Sequence, residues 1–417
     1  MKLNLISPKE NPLKYKEFRL FLLGHFISFV GSWIQQVAQV WLVYELTGSS
    51  SYLGVFTFFN AFPMLLLAFF SGALIDMFDR RKFLAVIVAL ASVPPFLLGL
   101  LTQFGVITFW KITFLAFLSG CFAAIDTPLR QVFISEIVPI KILVKAISFQ
   151  SLSFNMARMV GPFIAGLILA TGKVYPCFYL NAISFFPLFV FLVFFIKSKN
   201  NPNSQKGENK SKISIFEAIF YIKKRKNLLF VLLVVATFTF FGPGLMVLLP
   251  VIVKKFYHGG GKEFGFISSI VGIGAILGAI SVIFRPNIEN KLQNLRIATL
   301  LFCIAVLVIS ITRIWFLTLM AFVLIGFAFT NFFPVANSYV QENTPSEIRG
   351  RVMSLFVSSF LGIYPIGNLV AGLLADILPI PFILAVYSFI LLMINFYLLT
   401  LARKQEESII PDNEITK

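Results

Sequence analysis

Residues 120–166 read GCFAAIDTPLRQVFISEIVPIKILVKAISFQSLSFNMARMVGPFIAG, and residues 326–372 read GFAFTNFFPVANSYVQENTPSEIRGRVMSLFVSSFLGIYPIGNLVAG. The two stretches align without a gap. Gly120 falls on Gly326, Pro128 on Pro334, Glu136 on Glu342 and Pro139 on Pro345. Further along, Ser148 falls on Ser354, Gly161 on Gly367, and Ala165-Gly166-Leu167 on Ala371-Gly372-Leu373. Most matched residues are glycine or proline, which set backbone geometry and helix approach rather than bulk hydrophobicity. Unrelated apolar segments share leucines, not such a ladder at one spacing. The repeat takes in about half the chain, well beyond solenoid units of roughly 20–50 residues. The chain reads as a duplicated half-protein.

Its solvent follows from composition. Hydrophobic residues make up 58% of the 417, against roughly 45–50% in soluble domains, so a bilayer must cover them. The net charge of +17 would indicate nucleic acid in a soluble protein. Here the basic residues crowd into short loops on one side of the membrane, and no nucleic-acid partner is expected. The 51 phenylalanines are read as compositional bias rather than as an aromatic drug pocket. Cys121, Cys177 and Cys303 have neither metal-ligand spacing nor a pairing pattern and read as small packing residues. The first apolar run, after Arg19, is long enough to span and lacks a small-residue cleavage site, so it is expected as a membrane helix rather than a signal peptide.

Apolar runs of about 20 residues recur at 19–45, 52–76, 83–104, 107–131, 146–170 and 175–196. Six more lie at 228–253, 264–284, 296–311, 314–337, 351–376 and 380–402. This predicts an all-α integral membrane protein with 12 transmembrane helices in two pseudo-symmetric six-helix bundles. With an internal N-terminus, the external loops hold only Lys111, Lys173, Lys254, Lys255, Lys262 and Arg313, and the internal segments hold nearly all other Lys and Arg. The bias places both termini in the cytoplasm. Residues 1–196 form the first bundle and 228–402 the second. A basic, Asn- and Ser-rich linker at 197–227 joins them, and a charged, disordered tail occupies 403–417. Within the linker, Ile213 to Lys226 is expected as a short amphipathic helix on the membrane surface.

Four stretches carry polar chemistry inside or beside the runs. Gly72-Ala-Leu-Ile-Asp76-Met-Phe-Asp79-Arg80-Arg81-Lys82 lies between spans 2 and 3, with a degenerate counterpart around Asn287 and Lys291. Asp126-Thr-Pro128-Leu-Arg130-Gln131 closes span 4. An acid there is costly and calls for a partner. Asn155-Met-Ala-Arg158-Met-Val-Gly161-Pro162 lies in span 5, with Arg158 about 12 residues inside, roughly 18 Å from the end. A cation at that depth has to face a water-filled cavity or a carboxylate; it can bind an anionic substrate group or pair with Asp126. Gln35 and Gln39 sit one turn apart on one face of span 1, in line with Ser28 and Ser32. They are expected to line a cavity or to bond between helices. Asn155 is a further cavity candidate, and Asn331 and Asn337 of span 10 are weaker ones.

The loop after span 2 resembles the signature loop of the major facilitator superfamily, with Met77 where a basic residue is usual and Asp79 where a glycine is usual. Trp33 to Ser50, Asp126 to Gln131, Asn155 to Pro162 and Arg349-Gly350-Arg351-Val-Met-Ser354 narrow the likeness. Together they are similar to a bacterial exporter family that includes the enterobactin exporter and macrolide-efflux-like proteins. The resemblance implies the major facilitator fold, one central site, alternating access, and drug or siderophore export by proton antiport. It implies a monomer in the bacterial inner membrane. In that family pattern Gly72, Asp76, Arg80 and Arg81 form a gate with Asp126, which pairs with Arg80 or Arg130 as a latch or instead carries the proton; Glu45 is a second titrating candidate. Ala116 stands where many drug antiporters carry an arginine, which leaves that usual coupling device missing. An importer, a lysolipid or anion transporter, or a facilitator using another ion shares the same fold; a membrane sensor would show no flux. Only His25 and His258 occur, and neither a nucleophile constellation, a metal site, nor a Walker-type phosphate loop is present, so no enzyme, cofactor or ATP driving is expected.

Overall fold

Every expected apolar run is helical. The structure, a computed structural model, describes residues 11–195, 215–285 and 290–409. Among these, 12 helical stretches are long and apolar enough to cross a bilayer. Spans 1 to 6 are Lys16–Thr47, Ser50–Met77, Arg80–Gln103, Phe109–Ile137, Ile140–Leu169 and Tyr175–Phe195. Spans 7 to 12 are Lys226–Phe256, Gly261–Ile283, Lys291–Ile311, Trp315–Glu342, Ser346–Ile377 and Ile380–Ile409.

At spans 3 and 9 a polar side chain satisfies a terminal backbone amide ahead of the apolar stretch. The Asp79 carboxylate accepts from the Lys82 amide at 2.9 Å and opens span 3. Asn290 accepts from the Gln293 amide at 3.0 Å and opens span 9 in the same way. The departure from glycine at Asp79 is therefore a helix cap. Spans 3, 6, 7 and 11 are jointed, at Ser92, Phe185, Gly242 and Gly362. Each joint lies just ahead of a proline (Pro94, Pro187, Pro243, Pro365), whose ring crowds the preceding turn and which donates no hydrogen bond.

Two expectations about the connecting segments change. The surface helix forms as Ile215–Lys224, but it packs on spans 7 and 11 with Ala218 and Ile222 buried and Phe220 exposed. Residues 196–214 lie outside the described part. The tail was expected to lose structure after Arg403, yet the span 12 helix continues to Ile409. Tyr339 donates to Glu406, and Arg296 donates to the Thr400 hydroxyl at 3.0 Å. Those partners on spans 9 and 10 hold the polar last turns.

By contacts the chain forms two compact units: Met1–Gly48 with Phe59–Ser204 and Val253–Gly272, and Ser49–Phe58 with Gln205–Ile252 and Ile273–Lys417. In the first, Phe18, Phe21, Leu84, Val88, Phe133 and Leu188 belong to one buried cluster. Span 1 is drawn in by glycines: a Cβ on Gly24 would lie 2.9 Å from the Leu188 backbone, and one on Gly31 2.6 Å from the Ser184 Cβ. Across from them, a Cβ on Gly161 of span 5 would lie 2.5 Å from that of Trp33. Gly166 meets Gly265 of span 8 backbone to backbone, a Cβ on the former falling 3.1 Å from the latter's Cα. The second unit has a phenylalanine core, with Phe238 stacked 3.9 Å from Phe332 and ringed by Phe302 and Phe329. Its own glycine seam joins Gly54 to Gly372, repeat partner of Gly166. Beside that seam the Asp376 carboxylate accepts from the amides of Ser50 (2.7 Å) and Ser51 (3.0 Å) and from the Ser49 hydroxyl, capping span 2.

Gly372→Leu places its Cβ 2.6 Å from the Ser50 carbonyl and should cost about 1–3 kcal/mol by overpacking. A lowered melting temperature in detergent is expected, whereas Gly350→Ala, with nothing within 4 Å, should melt like wild type.

Candidate functional site

Two ion pairs repeat the duplication at the ends of the spans. Arg80, first residue of span 3, donates to Glu136 at the close of span 4, at 3.0 Å. Lys291, first residue of span 9, pairs with Glu342 at the close of span 10. Glu136 and Glu342 are repeat partners, and Asp79-Arg80 corresponds to Asn290-Lys291. Of the two partners expected for Asp126, Arg80 is thus engaged elsewhere: Glu136 lies ten residues beyond Asp126, roughly 15 Å along the helix. Arg81, expected in the gate, donates from Nε and Nη2 to the carbonyls of Leu192 and Val193 at 2.7 and 2.8 Å. It caps the end of span 6, where carbonyls lack helical partners. Gly72 and Asp76 lie in the span 2 helix, with side chains outside the described part.

Asp126 bonds to Arg130, one turn on. The Arg130 Nε–H is shared by the two carboxylate oxygens at 2.8 and 2.7 Å. Among the described residues Arg130 is the largest fully buried side chain, 2% exposed. Burial of a guanidinium in a span is tolerated only when its donors are met. Nη1 reaches the His25 Nδ1 at 2.9 Å and the Ser28 hydroxyl at 3.0 Å, and the Phe29 ring lies 5.5 Å from the guanidinium carbon. Reading the sequence passed over His25. A signal was available: His25 and Ser28 are three residues apart on span 1, the spacing of one helix face.

The Asp126–Arg130 pair forms part of the wall of a 280 Å³ cavity within the first unit. Gln35, Gln36, Gln39, Asn60 and Asn181 also line it, with Phe29 and Phe185 as apolar walls. Gln35 is held by Asn181, whose amide donates to it at 2.6 Å. The Gln39 side-chain nitrogen is buried with no hydrogen-bond partner among the described residues, an uncompensated donor on the wall. Arg158 is half-buried, its guanidinium 5.7 Å from the Trp33 ring. The Asn155 amide donates to the Ser151 carbonyl and Asn337 accepts from Gln341, both on their own helices. Asn331 lines a second cavity of 620 Å³ in the other unit, with Gln293, Asn294 and Phe327. Glu45 is exposed at the end of span 1.

A family model described as a transmembrane secretion effector of the major facilitator superfamily matches residues 8–417. The chain belongs to this family. The transporter is 28% identical over 362 residues to a staphyloferrin A transporter of Staphylococcus aureus, covering 86% of this chain and 89% of that one. It is 24% identical over 368 residues to a multidrug efflux pump of Mycolicibacterium fortuitum, covering 86% and 88%. Among solved structures, a nucleoside transporter superposes with a TM-score of 0.75 at 12% identity, over 94% of this chain and all of that one. That likeness establishes the major facilitator fold. The protein is a multi-pass membrane transporter of small molecules, not an enzyme.

Arg130→Met leaves Asp126 without its partner and should destabilise the transporter by about 3–5 kcal/mol. Arg130→Met with Asp126→Leu should regain much of that loss, read as recovery of melting temperature in detergent.

Proposed function

We propose that the protein is an alternating-access exporter of amphipathic small molecules, of drug or siderophore type, driven by proton antiport. The observation that carries this reading is the Asp126–Arg130 pair on the wall of a cavity that combines amides with aromatic rings. Such walls suit a molecule with several hydrogen-bonding groups on an apolar body. A carboxylate in the same wall can exchange its proton against that cargo. The names of the staphyloferrin and multidrug relatives support the two substrate types.

In this reading residues 1–196 and 228–402 are the two moving bundles, joined through 197–227, and substrate binds near the bilayer midplane. Gln35, Gln39 and Arg158 contact it. Arg80 with Glu136 and Lys291 with Glu342, together with Gly72 and Asp76, hold the cytoplasmic ends in one state and release them in the other. The protein works as a monomer in the inner membrane with both termini in the cytoplasm, in keeping with the Lys and Arg bias of the loops.

The test is proton movement in proteoliposomes on addition of macrolides, cationic dyes, catecholate siderophores or lysolipids. At least one compound should drive proton flux in wild type and none in Asp126→Asn, while Glu45→Gln keeps its response. Substrate moving downhill without protons would favour a facilitator, and flux with lysolipid alone would favour a lipid transporter. Arg158→Ala should fold and lose transport; full export by a well-expressed Arg158→Ala protein would remove Arg158 from the site.

A further inference from the structure

Arginine can only donate hydrogen bonds. The 2.9 Å contact between Arg130 Nη1 and His25 Nδ1 therefore requires a lone pair on Nδ1, and the imidazole is the neutral Nε2–H tautomer. Ser28 obeys the same accounting. Its hydroxyl hydrogen goes to the His25 carbonyl at 3.0 Å, so its oxygen accepts the second Nη1 hydrogen. Both Nη1 hydrogens are thus spent on span 1 and the Nε hydrogen on Asp126. The seat of Arg130 is built from two helices.

The imidazole itself is clamped. Phe21 stacks on it at 5.5 Å and Phe29 stands edge-on at 4.1 Å, one turn to either side. His25 is fully buried, and its Nε2 has no hydrogen-bond partner among the described residues. The charged group facing it is Arg130 of span 4, itself held by Asp126. Span 6 presents Leu188 to the neighbouring Gly24, and Arg158 of span 5 lies two turns along, over Trp33.

We propose that His25 is a positioning residue for Arg130: its neutral Nδ1 keeps the guanidinium seated on Asp126, and a proton taken by that nitrogen unseats it. The proton comes from water and converts the acceptor into a donor. The N–H···N bond is lost, two cations are left side by side, and Arg130 is pushed toward the cavity it already lines. Return of the proton to water restores the seat. The proposal rests on the Asp126–Arg130 pair being the coupling element, and adds a second proton-responsive group to it.

Only His25 and His258 need be told apart. His258 adopts φ 49°, a conformation asparagine takes readily, so His258→Asn in 15N-histidine-labelled protein in lipid nanodiscs leaves one imidazole to observe. At pH 7.5 His25 should show an unprotonated Nδ1 and a protonated Nε2. Arg130→Met should release it to a mixture of tautomers. Between pH 7.5 and 5.5 the melting temperature of wild type should fall. In His25→Asn, whose side-chain oxygen accepts the same bond and does not titrate, that fall should be lost. A protonated Nδ1 in wild type, or the same pH profile in His25→Asn, overturns the proposal. Absence of substrate-linked proton flux in wild-type proteoliposomes would instead sink the coupling reading and leave the histidine signal unchanged.

Discussion

A guanidinium buried within a membrane helix constrains everything around it. Arg130 is only 2% exposed, so its Nε and Nη1 donors are met by Asp126 on its own helix and by His25 and Ser28 on span 1. Span 1 must then pass within side-chain reach of span 4 and hold its register there. Gly24 and Gly31 let it lie against span 6, and Gly161 lets span 5 close on Trp33 from another side. Close-approach glycines on spans 1 and 5, Gly161 of the sequence ladder among them, are thus the condition for a polar seat in an apolar interior. Even a methyl at Gly161 would strike the Trp33 Cβ.

Duplication supplied two copies of the frame and one copy of the seat. The end-on ion pairs, the Asp79 and Asn290 caps, and the seams Gly166–Gly265 and Gly54–Gly372 all occur twice. At the positions matching Asp126 and Arg130 the second half carries Phe332 and Ala336, both buried. Phe332 stacks on Phe238 there. A pair of charges on one side corresponds to a ring and a methyl group on the other. The asymmetry places the buried charged pair in the first half and apolar packing in the second.

The fold was legible because its signals are long: twelve runs of bilayer length and a ladder of special residues leave few alternatives. The pairings were less so. Glu136 and Glu342 stood in the repeat ladder, yet nothing local ties either to a basic residue more than fifty positions away. Asp126 was expected to find Arg80 or Arg130, and the choice depended on how far span 4 runs past its apolar stretch, to Ile137. Arg81 carries the same charge as Arg80 but turns to carbonyls of span 6, a target composition cannot reveal. His25 was invisible for another reason. Its spacing to Ser28 marks one face of span 1, but its meaning lies in the arginine that faces it.

The cap on span 2 is of a different kind from the seat of Arg130. Asp376 holds the amides of Ser50 and Ser51 and the hydroxyl of Ser49, but Ser49 is half-exposed and Asp376 lies open to solvent. Water can replace the bonds of Ser49 and Ser51 as they break, one at a time, and leaves only the amide of buried Ser50 to be met anew. The clasp is therefore soft in activation terms even where it is firm at equilibrium. The buried seat has no such substitute and must rearrange as a whole. The two junctions thus differ in how they can come apart: the solvated clasp bond by bond, the buried seat all at once.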